Sequence, residues 1–344
     1  MPRTPRLRAA APAVALAVAL VVSACGTGSP PGATAASSSA THGRLSVVTT
    51  VAPITSIASA VIGDRATVEG VVPEGSNSHT FEPSPRVAKV LSKADVIFVN
   101  GLKLEDPTVT LARKNKKRST PIVEIGTAVL PESDYIYDFS FPRSQGKPNP
   151  HLWTDPLLAR KYATVIADTM SRLDPAGAPA YAAGESAFSR QVDALDAAMR
   201  ASFATVPAAR RKLLTYHDAY AYFGRDYGWQ VIGAIQVESF KDPSPKEVAA
   251  LIEQVRREDV PAIFGSEVFP SPVLAQIGRE TGVKYVDTLR DDDLPGKPGD
   301  AEHSWLGLMR ADFVTITEAM GGDATALKAV PVGGTSPDTA RYPQ

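Results

Sequence analysis

The sequence predicts an α/β fold: two similar lobes, each a mostly parallel sheet flanked by helices, joined by one long rigid helix. Three observations carry this. Short segments rich in β-branched residues alternate with helical stretches, the order that produces parallel sheets. The alternation fills one half of the chain, stops, and resumes in the other half. Between the halves lies an Ala-rich stretch with no strand of its own. At 344 residues, 44% hydrophobic and 21% charged, the chain can fill one large or two medium domains with real cores.

The first residues stand outside that fold. Arg3, Arg6 and Arg8 precede an apolar run, Ala9 to Val22, interrupted only by Pro12. Such a run is short for a membrane span and reads as the apolar region of an export signal, residues 1–24. It closes on Val22-Ser23-Ala24-Cys25, which resembles a bacterial lipobox. That resemblance implies cleavage before Cys25 and a diacylglycerol on its thiol. Cys25 is the sole cysteine, so the chain can form no internal disulfide and no thiolate metal site. The expected location is extracytoplasmic: lipid-anchored at Cys25 to the outer face of the cytoplasmic membrane, or periplasmic.

Residues 25–44 are dominated by small polar residues, Gly and Pro, a flexible tether that cannot bury a core. The tail 331–344 has a similar composition and is expected to be disordered. Losing residues 1–24 removes three arginines and no acid, moving the net charge from −1 to about −4. That balance excludes a nucleic-acid partner, which needs a basic face. The protein is expected to be a monomer.

The first lobe spans 45–174. Segments 45–51, 66–72 and 95–100 are strands, and 84–94 is one of the helices between them. Ser84-Pro85 and Asp155-Pro156 each put a capping side chain before a proline at the first helical position. The linker, 175–207, holds Phe188, Val192, Leu195, Met199 and Phe203 at helical spacing. Read as one helix over about 178–204, it is about 40 Å long at 1.5 Å per residue. The second lobe, 208–330, has strands at 212–216, 229–235, 261–265 and 283–287. Its helices follow Asp218, Ser244, Ser271 and His303. Ser244 with Glu247 makes a capping box, and Ser271-Pro272 repeats the cap-proline start.

Loops that precede such helices lie at the carboxyl edge of the sheet, where open α/β folds bind ligands. Of five histidines, three sit at such junctions. His79 lies in a Pro/Gly/Ser/Asn loop, His151 in "NPHLWTDP" before the Asp155 helix, and His217 after the strand "KLLTY". Singly, each reads as an ordinary hydrogen-bonded histidine. Together they can converge on one point. Asp287, after the last strand, is a fourth candidate. Three imidazoles and one carboxylate suit a borderline cation such as Zn2+. The acids Asp291, Asp292 and Asp293 form a run that reads as a solvated loop. Glu267 also ends a strand, as a partner of a ligand or a substitute ligand.

These residues are similar to the metal-binding solute-binding proteins of bacterial ABC importers, the zinc/manganese class. The likeness runs from about 45 to 325. It rests on "NSHTFEPSP", "NPHLWTDP", "YHDAYAYFGRDYG", "FGSEVFPSPVLAQIGRETGVKYVDTL" and "HSWLGLMRADFVTITEAMGG" in that order. It implies two lobes joined by a backbone helix, with His79 and His151 from one lobe and His217 and Asp287 from the other holding the metal. It also implies delivery to an ABC permease in the cytoplasmic membrane. Manganese-binding members usually carry glutamate where this chain has His217, which points to Zn2+, with Mn2+ or iron the alternative. Many zinc-binding members have a His-rich loop near the site, and residues 131–148 contain no histidine. His303, near the last helix, is expected to cap that helix or to support a ligand.

Two other readings are open to the same residues. A zinc hydrolase could use three histidines, a water and Glu267 as general base, although no HExxH helix appears. An adhesin-type lipoprotein could carry a purely structural metal on this fold.

Overall fold

A computed structural model describes residues 44–235, 243–266, 271–333 and 341. The signal, nearly all of the tether with Cys25, and Glu267 lie outside the described residues.

The first lobe runs β1 (Leu45–Thr49), α1 (Ala52–Ile62), β2 (Ala66–Gly70), α2 (Pro85–Lys93), β3 (Val96–Val99), α3 (Asp106–Asn115), β4 (Ile122–Glu124), α4 (Ile125–Val129) and α5 (Pro156–Leu173). The connecting helix α6 covers Ala178–Ala204, 27 residues. The second lobe continues with β5 (Lys212–Thr215), α7 (Ala221–Tyr227), β6 (Gln230–Ala234), α8 (Pro245–Glu258), β7 (Ala262–Ser266), α9 (Pro272–Thr281), β8 (Lys284–Leu289), α10 (Trp305–Ala319) and α11 (Thr325–Lys328).

Both sheets have four strands, every pair parallel, in the orders β2-β1-β3-β4 and β6-β5-β7-β8. In the first, Leu45 lies opposite Ala66 and Val47 opposite Val96. The chain leaves β1 toward one edge and returns for β3 on its other side. Loops following the strands therefore diverge and open a crevice at the carboxyl edge. The repeated order gives the second lobe an equivalent crevice after β5.

Buried apolar strands mark a sheet covered on both faces: Val96, Ile97, Phe98 and Val99 are all buried. Val48, Ile97 and Leu91 pack in one cluster on the α2 and α3 side. Leu214, Ile263 and Ile277 do the same in the second lobe. The opposite faces share one core. It runs from Val47 and Phe98 through Ile57, Tyr162 and Val192 to Phe264 and Phe313. The α6 stripe of Phe188, Val192, Leu195, Met199 and Phe203 lies within it, as the helical spacing predicts. Gly184 brings α6 against the end of α1. A Cβ there would stand 2.3 Å from the Val61 carbonyl oxygen.

Three of the four cap-proline starts form as expected. Asp155 accepts from the Leu157 and Leu158 N–H groups, Ser271 from Leu274, and Ser244 makes its full capping box with Glu247. Ser84 does not: its backbone takes the cap conformation, but the hydroxyl makes no capping bond, leaving Pro85 to set the start. Helix α10 is capped by Ser304, which accepts from Gly307 N–H, and not by His303. In the tail expected to be disordered, Arg341 is described and pairs with Glu69 beside β2.

Candidate metal centre

The crevices of the two lobes face each other, and three histidines meet there. His79 arrives on the loop between β2 and α2, His151 on the turn before α5, and His217 two residues beyond β5. Their Nε2 atoms form a triangle: 3.1 Å from His79 to His151, 3.2 Å from His79 to His217, and 2.8 Å from His217 to His151. Among the described residues this is the cluster of His, Cys, Asp or Glu whose ligand atoms all lie within 4.8 Å. Phe141 packs against the rings of His79 and His151, and Trp153 against His151, so the triangle has apolar walls. A cavity of about 280 Å³, lined by His79, Ser140, Phe141, Lys147 and Pro150, opens beside His79.

The electrostatics favour neutral rings. Burial, with the neighbouring ring of His217, lowers the pKa of His79 and His151 well below the usual histidine range. Burial takes His217 down to about 4. A neutral imidazole keeps a lone pair for a cation.

Asn149 decides which nitrogen of His151 carries the proton. Its Nδ2 donates to Asp138 Oδ2 at 3.0 Å and to the Asp218 carbonyl at 2.9 Å. The Oδ1 is thereby turned to His151, accepting from its backbone N–H at 3.1 Å and from Nδ1 at 2.8 Å. With Nδ1 protonated, the Nε2 lone pair faces the triangle. Asn149 lies within the motif of His151 but has no role in the sequence reading above; its position two residues before the histidine is the available signal.

Among the described residues, the carboxylate beside the triangle is Asp291. Its Oδ2 lies 4.0 Å from His217 Nε2, and the residue is 8% exposed. Asp287 is exposed and remains within β8. The cause is the strand's length. β8 runs on to Leu289, two residues past the end expected from sequence, so its carboxyl-edge loop begins at Arg290. The acid run 291–293 is correspondingly no solvated loop: Asp291 and Asp293 are buried. Burial, then the charges of Asp292, Asp312 and Asp293, push the Asp291 carboxyl well above its usual range. A cation beside it reverses that cost.

His303 is buried away from the triangle. Its Nδ1 lies 3.2 Å from the Pro295 carbonyl oxygen and its Nε2 3.4 Å from Glu74 Oε1, so it bridges the two lobes. Two tryptophans do likewise. Trp153 Nε1 donates to the Asp291 carbonyl and Trp305 Nε1 to the Trp153 carbonyl, both at 2.9 Å.

The family described as zinc-uptake complex component A, periplasmic (ZnuA), matches residues 47–319. The iron-binding protein YfeA of Yersinia pestis is 29% identical over 278 residues, covering 81% of this chain and 87% of that protein. The manganese-binding lipoprotein MntA of Halalkalibacterium halodurans is 25% identical over 311 residues, 89% of this chain and 97% of that one. Among solved structures, the periplasmic zinc-binding protein TroA of Treponema pallidum matches with a TM-score of 0.73 at 25% identity. That likeness covers 81% of this chain and 99% of TroA.

Proposed function

The chain belongs to the periplasmic zinc-uptake component A family, the metal-binding solute-binding proteins of ABC importers, and from that premise we propose that its cargo is Zn2+, held by His79, His151, His217 and Asp291. The family is a transport component, so the hydrolase reading falls away.

The observation that supports zinc is the Nε2 triangle. With Zn–N bonds of about 2.0–2.1 Å, nitrogens of a tetrahedral site stand about 3.3 Å apart. Edges of 2.8, 3.1 and 3.2 Å need to open only slightly around the ion. Three imidazoles and one carboxylate form a borderline donor set, whereas Mn2+ favours more oxygen. Relatives carry iron and manganese in their names, so competition between metals is the deciding measurement. Elemental analysis of the purified full chain should find zinc, and zinc should displace manganese. In His217→Glu the balance should move toward manganese. Unchanged selectivity would remove His217 from the ligand set.

The cargo is then passed to a membrane permease, with the protein acting as a monomer tethered through lipid on Cys25. Cys25→Ser should move it from the membrane fraction to the soluble one. Retention in the membrane would refute the anchor.

A further inference from the structure

The acid run contains two carboxylates that the metal reading does not use. Asp292 and Asp293 follow Asp291 on the connection from β8 to α10, and both reach across to the first lobe. Asp293 accepts the Gly75 backbone N–H on both of its oxygens, 3.1 Å each. Asp292 Oδ2 accepts the Ser78 hydroxyl at 2.6 Å. Gly75 and Ser78 belong to the loop that carries His79. The same connection is pinned to the first lobe by Trp153 at the Asp291 carbonyl and by His303 beside Glu74.

The metal-facing histidines are held in different ways. His151 is fixed by Asn149, and Thr215 donates to the His217 carbonyl at 2.6 Å. His79 sits on a loop between β2 and α2 without regular structure. Inside that loop, Asn77 Oδ1 accepts the His79 N–H at 2.9 Å, which shapes the turn, and Phe141 packs against the ring. Gly75 and Ser78, just upstream of His79, are docked from the other lobe. What docks there is the segment carrying Asp291.

We propose that Asp292 and Asp293 are positioning residues for metal capture: they hold the His79 loop of the first lobe against the segment of the second lobe that presents Asp291. The proposal rests on the reading that His79 and Asp291 both contact the cargo. Through these bonds, two ligands from opposite lobes arrive at the ion together. Breaking the bonds loosens both at once, so the latch governs how fast metal leaves as well as how tightly it is held. Hydrogen bonds shielded from water are strengthened by the low local dielectric, which suits them to this task.

The test is zinc affinity and zinc release into a chelator, measured on the full chain. Asp293→Ala and Ser78→Ala should each weaken binding by about tenfold, within the range for groups that orient metal ligands, and should speed release. Asp293→Asn keeps an acceptor oxygen for Gly75 and should recover most of the loss. In a His79→Ala background, Asp293→Ala should add no further loss, because its effect passes through His79. Wild-type affinity and release in both single variants would overturn the latch. So would an equal loss from Asp293→Ala with and without His79. Should Asp293→Ala fail to fold, Ser78→Ala, which removes one hydroxyl, carries the same test. If His151→Ala binds zinc like the wild type, the metal site itself is misassigned, and the latch falls with it for that separate reason.

Discussion

Asn149 uses two donors and two acceptor directions, and each meets a partner fixed by another part of the fold. Its value to His151 is orientation and tautomer. Asn149→Ala should weaken zinc binding by about 10–100-fold while the other ligands stay in place; calorimetric titration would read it directly. Asp291 and Asp287 offer a paired test. Asp291→Asn should lower zinc affinity, and Asp287→Asn, on the exposed face of β8, should leave it unchanged. The reverse result would restore the ligand assignment expected from sequence. The three histidines were legible as a group because each stands on a loop that leads into a helix. Asp291 was not, because choosing it requires knowing where β8 ends, and a shift of two residues changes which acid the loop presents. Asn149 was hidden for another reason: its role depends on Asp138 and Asp218, which are far apart in the chain.

Among elements, α6 was readable in full from its apolar spacing, and the observed helix covers the expected stretch. Strand β4 was not read at all. It has three residues, too few for a pattern, and takes its extended form from pairing with β3. Ser84 shows the same limit, since a capping residue in the right place need not make the bond. The contact between α1 and α6 is equally invisible in sequence, where Gly184 reads as a weak point in a helix. Alanine there would gain about 1 kcal/mol of helix propensity. The added carbon, however, would meet the Val61 carbonyl oxygen at 2.3 Å. Because that neighbour is backbone, overpacking at about 1–3 kcal/mol should win, and Gly184→Ala should be net destabilising in urea denaturation. A variant as stable as the wild type would show that α1 and α6 can separate without loss.

At the scale of the whole molecule, metal capture and fold stability are linked, because the ligands come together only in the folded chain. Free zinc at about 1,000 times its dissociation constant adds about 4 kcal/mol. For a chain of this size that raises the thermal midpoint by about 10 °C. A chelator should return the midpoint to that of metal-free protein, and a midpoint indifferent to zinc and to manganese would refute the binding function. The two-lobe architecture was legible because the strand-helix alternation repeats. The identical strand order in both sheets was not, since neighbouring strands are set by crossovers and packing rather than by local pattern.

The core that passes through α6 is shared by the two lobes, each of which keeps only a smaller cluster on the far face of its sheet. On one side of the helix lie Ile57 and Tyr162, on the other Phe313 and Trp305, with Phe188 against Trp305 and Phe203 against Phe313. A cut after Pro207 would strip apolar surface from both fragments, so neither should persist alone. Heating should accordingly melt the folded region cooperatively, in one peak of heat absorption, with no half outlasting the other.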